Sequence, residues 1–456
     1  MSPTPLDGVL ASERSRFEAE LFTFLRIPSI STDPDRAEQV RHAAAWLRDD
    51  LAGMGFEAEL LETARHPVVV AHRQVSPSLP TVLIYGHYDV QPPDPVEAWD
   101  TDPFDPTVRD GAVVARGASD DKGQVFAHVK GVQALLAAEG ELPVNVTFLI
   151  EGEEEIGSPN LAAVLEEHAD RLAADVVVVS DGAMLPGRVP TLTYGLRGMT
   201  YVEVRVRTAA RDLHSGAYGG AVPNAAHALA VILAGLKDAN GRITVPGFYD
   251  DVREITDEER AQFARVEFDR DAFMRDAGVR ATPGEAGRDV RERLWARPTL
   301  DVNGLGGGFQ GEGSKTVIPA EAFAKVSCRL VPDQDPHTIT EALRAHLRAL
   351  APEGAEVEVT ELNAGAWALS PLDGRAVQAA AAAIRRVDGR DPAFVRTGGT
   401  IPVVSDFQRL LGAEVVLVDM GLEEDRIHSP NEKFDLDLYH RGIRLSAEVL
   451  RALAPA

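Results

Sequence analysis

The spacing of apolar residues changes character twice along this chain, and each change suggests a boundary. Near the start, apolar positions recur at helical intervals over Glu13 to Leu25 and over Glu38 to Met54, where Gly53 and Gly55 stop the pattern. Short apolar runs bounded by turn residues follow: Pro67 to Ala71, Thr81 to Tyr85, Val144 to Ile150 and Asp175 to Val179. Helical stretches separate them, Gln124 to Ala138 (closed by Gly140) and Asn160 to Leu172. Strands alternating with helices predict an α/β layer with a mostly parallel sheet and helices on both faces.

Near Gly195 the pattern shifts. Tyr201 to Val206 alternates apolar and polar residues, as a sheet with one solvated face requires. A helix over Pro223 to Leu236 comes next, then a charge-dense and mostly helical stretch from 250 to 298. A glycine-rich loop, Gly304 to Gly313, leads to the strand Ala324 to Val331, the helix His337 to Leu350 and the strand Glu356 to Glu361. After Ala366 the first texture returns, with a helix over Gly374 to Val387, the strand Glu414 to Val418 and a last helix. The expected organisation is an α/β domain over 1–196 and 369–456, interrupted by an α+β domain over 197–368.

Composition narrows the partners. The 456 residues carry 46 basic and 71 acidic side chains, a net charge of −25, which argues against nucleic acid and against an anionic membrane surface. No run approaches the ~20 apolar residues of a membrane span. The first twenty residues do not read as a signal peptide. The single cysteine, Cys328, allows no intrachain disulfide, so a cytoplasmic location is expected.

The chemistry is concentrated where strands end. Thr81 to Tyr85 runs into Gly86-His87-Tyr88-Asp89, Val144 to Ile150 into Glu151-Gly152-Glu153-Glu154-Glu155, and Asp175 to Val179 into Ser180-Asp181. Glu414 to Val418 runs into Asp419, with His428 nine residues later, and Ser119-Asp120-Asp121 stands just before a helix. Open α/β sheets bind ligands at these carboxyl ends. One acidic residue after a strand is ordinarily a turn or a helix cap, a reading that suits Asp121 and Glu153. Carboxylates converging from several strand ends would repel one another unless a cation joined them. Two histidines with carboxylates and no thiolate suit Zn²⁺, Mn²⁺ or Co²⁺.

These segments, in this order, resemble the M20 metallopeptidase family. The resemblance rests on Gly86-His87-Tyr88-Asp89-Val90, Ser119 to Gly123, Glu154-Glu155-Ile156-Gly157-Ser158, Ser180-Asp181 and Ile427 to Glu432. Gly247 to Asp250, the charged insert, Lys315 to Pro319 and Arg329 to Pro332 resemble its cytosolic non-specific dipeptidase and carnosinase branch. The resemblance implies two divalent ions per subunit, one on His87 and Asp181, the other on Glu155 and His428, with Asp120 between them. It implies Glu154 as general base, Asp89 behind His87, and a cis peptide after Asp120. The middle domain would be a lid that also forms a homodimer, with His214 of Asp212 to Gly216 reaching the partner's active site. Arg329 would hold the carboxylate of a small peptide substrate, and Thr316 and Thr400 would contact it.

Other signals lead elsewhere or nowhere. Gly306 to Gly311 fits a dinucleotide fingerprint and Gly308 to Thr316 loosely fits a phosphate loop, but a strand rather than a helix follows. Cys328 shares a core face with Val326 and Leu330, and His214-Ser215 lacks the setting of a serine nucleophile. Two other readings remain at this point: an amidohydrolase releasing acyl groups from amino acids, and a binding protein without catalysis.

Overall fold

The computed structural model describes residues 4–399 and 401–455; Thr400 lies outside them. The chain forms two compact units. The first runs to Tyr194 and takes in Ser370–Val395 and the chain from Val403 on; the second is Gly195–Leu369 with the return segment that starts at Arg396.

At the centre of the first unit, Asn145–Glu151, Thr81–His87, Val176–Val179 and Glu414–Val418 lie side by side, all parallel. Antiparallel strands extend the sheet on either side: Val68–Arg73 and then Glu57–Leu61 beyond Asn145–Glu151, and the strand from Thr191 beyond Glu414–Val418. The central strands are apolar along most of their length and buried almost throughout, as strands covered on both faces must be. Because they run in one direction, His87, Glu151, Ser180-Asp181 and Asp419 all emerge at the same edge.

Helix Lys122–Glu139 packs against strand Thr81–His87 and against helices Pro5–Leu25 and Leu436–Leu453. Its approach to the last is close: a Cβ on Gly131 would lie 2.6 Å from Ser446 Cβ and 2.7 Å from Ile443 O. Only glycine allows that contact, which lets the middle of this helix lie directly on the last one.

The second unit is a four-stranded antiparallel sheet in the order Thr299–Gly307, Glu321–Leu330, Gly198–Arg207, Glu356–Gly365. Val202, Val204, Val206, Ala324, Val326, Cys328 and Leu330 point to one face, where Leu229, Ile232, Leu343 and Leu347 of two helices complete a core. Burial of Cys328 pushes its thiol pKa up, which removes it as a nucleophile.

Several elements differ from the pattern reading. The first helix starts at Pro5, because Thr4 and Asp7 form a capping box (Asp7 N to Thr4 Oγ1 3.3 Å, Thr4 N to Asp7 Oδ2 2.6 Å) and Pro5 suits the first turn. The helix expected over Asn160 to Leu172 is only Leu161–Glu167. The 250–298 stretch holds three short helices, Asp257–Arg265, Arg270–Asp276 and Val290–Trp295. Gly304 to Gly307 belong to a strand, not a loop: the pairing slips between Val302 and Gly304, and the Phe323 ring covers Gly306 so closely that a Cβ there would sit 2.5 Å from it. Among the described residues, no helix is long and apolar enough to cross a membrane.

Candidate metal centre

His87 is the last residue of its strand and is fully buried. Its Nδ1 lies 3.3 Å from Asp89 Oδ1 and 3.1 Å from Asp89 O, which turns Nε2 toward Asp120 Oδ1 at 3.1 Å and Asp181 Oδ1 at 3.9 Å. Asp89 does more than orient the ring: its carboxylate also accepts the backbone N–H of Glu154 (3.3 Å) and of Glu155 (3.1 Å). One buried side chain thereby fixes both the first histidine and the turn after Glu151.

On the other side of Asp120, Oδ2 lies 2.8 Å from His428 Nε2, and Glu155 Oε2 lies 3.2 Å from the same nitrogen. The donors fall into two groups, His87 with Asp120 and Asp181, and Asp120 with Glu155 and His428, the ligand atoms of each within 4.8 Å of one another. Asp120 belongs to both. The Asp120–Asp121 peptide is cis, as the resemblance implied.

Glu154 stands beside this cluster, partly buried, and its carboxylate accepts no hydrogen bond among the described residues. Burial and the neighbouring Asp181, Glu155 and Asp120 hold its pKa well above the usual carboxylate range, although His87 opposes the shift. Glu155 is raised too, mainly by burial. His428 is pushed up to about 10 by its hydrogen bonds to Asp120 and Glu155, and the carboxylates around His87 raise it as well, against the effect of burial. No lysine or arginine pairs with Asp120, Asp181, Glu154 or Glu155 among the described residues. Two imidazoles and three carboxylates, with Glu154 uncommitted beside them, fit a pair of divalent cations.

Some acidic residues at this edge do other work. Asp121 Oδ2 accepts the His87 backbone N–H at 3.1 Å. Glu153 takes the hydroxyl of Thr63 (2.6 Å), the backbone N–H of His66 (2.8 Å) and the amide of Asn160 (2.7 Å). Asp419 accepts Thr193 Oγ1 at 2.7 Å and packs under the Asp181-Gly182 turn, where a Cβ on Gly182 would meet it at 2.3 Å.

Two residues of the site had no assigned role in the sequence reading. Gln91 Nε2 donates to Glu155 Oε2 at 2.7 Å, holding that carboxylate from a loop with no periodic signal. Glu432, inside the His428 segment, is a fully buried acceptor of the Asp120 backbone N–H at 3.0 Å. Its position just past a histidine motif was the only available clue.

His214, Thr316 and Arg329 belong to the second unit. His214 is exposed, on a two-residue strand paired with Val317–Ile318, and its Nδ1 accepts the Gly216 N–H at 3.1 Å. Thr316 is its neighbour, with its carbonyl accepting the Ser215 N–H at 3.1 Å. Arg329 lies on the face of its strand opposite Cys328, half-buried, and desolvation lowers its pKa.

Comparison with known proteins agrees with the fold. The model of peptidase family M20/M25/M40 matches residues 83–452, a span that holds every donor above. This chain belongs to that family. The M20 chain is 33% identical to the Cys-Gly metallodipeptidase of Schizosaccharomyces pombe, over 100% of this chain and 99% of that one. It is 36% identical to human Beta-Ala-His dipeptidase, over 85% of this chain and 78% of that one. Its fold is similar to that of the solved metallo-carboxypeptidase Sso-CP2 from Sulfolobus solfataricus, with a TM-score of 0.85 and 35% identity, covering 96% of this chain and 99% of that one.

Proposed function

We propose that this M20 peptidase hydrolyses dipeptides with two divalent ions, Zn²⁺ or Mn²⁺ (Co²⁺ also suits the donors), and with Glu154 as general base. The observation that carries the reading is the sharing of Asp120 between two donor groups, with an uncommitted carboxylate, Glu154, beside them. The relatives named as dipeptidases support the substrate class.

In this reading His87 and Asp181 would hold one ion, Glu155 and His428 the other, and Asp120 would serve both groups. Bound there, the ions supply a Lewis acid for the peptide carbonyl and a more acidic water. Glu154 takes the proton of the attacking water on its carboxylate and hands it to the departing amine, a carboxylate free of other hydrogen bonds among the described residues serving as base and then as acid. Asp89 keeps the His87 ring in one orientation. With Nδ1 of His214 accepting from Gly216, its ring proton sits on Nε2, ready to donate to the developing oxyanion. We assign that role to the His214 of a partner subunit in a homodimer formed through the second unit. Arg329 pairs with the free carboxylate of the substrate in the two-point manner of a guanidinium, and Thr316 and Thr400 contact the peptide. We place the enzyme in the cytoplasm, where its one thiol, buried, needs no partner.

The test is hydrolysis of a panel with Zn²⁺ and Mn²⁺ compared: Cys-Gly, β-Ala-His, other dipeptides, longer peptides and N-acyl amino acids. Fastest turnover of dipeptides supports the reading. Faster release of residues from longer peptides would make it a carboxypeptidase, and preference for N-acyl amino acids a deacylase.

A further inference from the structure

The His428 segment is held in an unusual backbone shape. Arg426 (φ 58°), His428 (φ 58°) and Asn431 (φ 62°) all adopt the left-handed region within six residues. Non-glycine residues enter that region rarely, asparagine and histidine more readily than arginine. Such a shape persists only where the surroundings fix it.

Two side chains at the end of the segment do so. Asn431 Oδ1 accepts the Asp100 N–H at 2.8 Å, and Asn431 Nδ2 donates to Ala98 O at 3.1 Å. Glu432, fully buried, carries the larger share. Its Oε1 accepts the backbone N–H groups of Ser119 (2.9 Å) and Asp120 (3.0 Å). Its Oε2 accepts the Gly117 N–H (3.0 Å) and Arg116 Nη1 (2.8 Å), and its own carbonyl accepts the Ala115 N–H (3.0 Å). One residue thus grips the whole 115–120 loop, at whose end Asp120 stands, from a position four residues past His428.

We propose that Glu432 is a positioning residue that builds the two metal subsites as one unit, holding Asp120 and His428 in register before any ion arrives. The inference rests on the reading that these two residues are ligands. Its geometry suits a residue with two acceptor oxygens: all four groups facing the Glu432 carboxylate are donors. The amide of Glu432→Gln would turn an NH₂ toward N–H groups and lose at least two of these bonds.

The test is competitive Zn²⁺ titration against a chromophoric chelator, with metal content per chain and the melting temperature of the chelator-stripped protein measured alongside. Glu432→Gln is expected to weaken both ions by ~10–100-fold, as loss of a residue behind the ligands typically does. Asn431→Gly keeps the left-handed conformation but removes the second anchor. It is expected to weaken chiefly one ion, the one His428 would hold, and covers the case in which Glu432→Gln does not fold. A lowered melting temperature with both affinities unchanged in both variants would overturn the inference, leaving Glu432 a structural residue only. Failure of the unaltered protein to bind two ions would instead overturn the underlying reading.

Discussion

Asp120 gives one carboxylate oxygen to each histidine: Oδ1 lies 3.1 Å from His87 Nε2 and Oδ2 lies 2.8 Å from His428 Nε2. The two rings come from the end of a central strand and from a loop near the C-terminus, more than three hundred residues apart. A single side chain therefore joins the two halves of the donor set. Asp120→Asn is expected to weaken both ions together, and by more than the ~10–100-fold that follows loss of an outer hydrogen-bond partner. Chelator titration with metal analysis checks it; retention of two tightly bound ions would show that Asp120 is not shared.

Asp89 touches no predicted ion site directly, yet it fixes His87 and receives the Glu154 and Glu155 N–H groups. Asp89→Asn keeps the shape but replaces one acceptor oxygen with a donor. A fall in metal affinity of ~10–100-fold is expected, together with a drop in kcat, because the turn that carries Glu154 loosens as well.

Protons and metal compete for the same atoms. Without metal, hydrogen bonds to Asp120 and Glu155 raise His428 to about 10, so its ring is protonated at neutral pH, and the carboxylates around His87 shift that ring in the same direction. A histidine whose folded pKa exceeds its unfolded value stabilises the fold fully below ~6.5 and loses that contribution as pH rises through the folded pKa. The stripped protein should therefore lose stability between pH ~6.5 and about 10. Metal binding must release these protons, so affinity should climb over the same window. Melting curves and proton release in calorimetry across buffers measure both; pH-independent metal affinity would contradict the assignment of His87 and His428 as ligands.

His214 is assigned to the partner's site. His214→Ala homodimers should lose kcat by roughly 10²–10³-fold, as when an oxyanion donor is removed. Mixing them with a Glu154→Gln chain should restore activity, since one site in each mixed dimer then has an intact Glu154 and an intact His214. No recovery in mixed dimers would place His214 outside the chemistry of the partner.

Arg329 is expected to act on binding. Arg329→Met should raise KM for a free-acid dipeptide much more than it lowers kcat, and should erase the preference for the acid over the same dipeptide as its C-terminal amide. An unchanged acid-to-amide ratio would remove Arg329 from substrate recognition.

Much of the site was legible because the chemistry sits at strand ends and the strands are strongly apolar. His87, Glu154-Glu155 and Asp181 each follow such a run, and parallel pairing brings them to one edge. Asp121 and Glu153, expected as turn or cap residues, do scaffold work, but through contacts that pattern alone does not give. Asp121 and Asp120 are neighbours, yet one accepts the His87 N–H while the other faces two histidines. Glu153 and Glu155 differ in the same way, through contacts with Thr63 and His66 that lie 90 and 87 residues away in the chain. Gln91 and Glu432 escaped because their partners are a distant side chain and distant backbone N–H groups, neither of which leaves a periodic trace. Element ends shifted for local reasons: the Thr4 cap drew the first helix back to Pro5, and the first part of the apparent glycine loop, Gly304 to Gly307, pairs as strand with Phe323 over Gly306.

The central claim is that Glu154 moves the proton while the other donors hold metal. Glu154→Gln, assayed for dipeptide turnover and for metal content in the same preparation, tests it most directly. The expected result is two ions per chain as in the unaltered protein, with kcat lowered by ~10²–10⁴-fold. Near-normal turnover with full metal would contradict it.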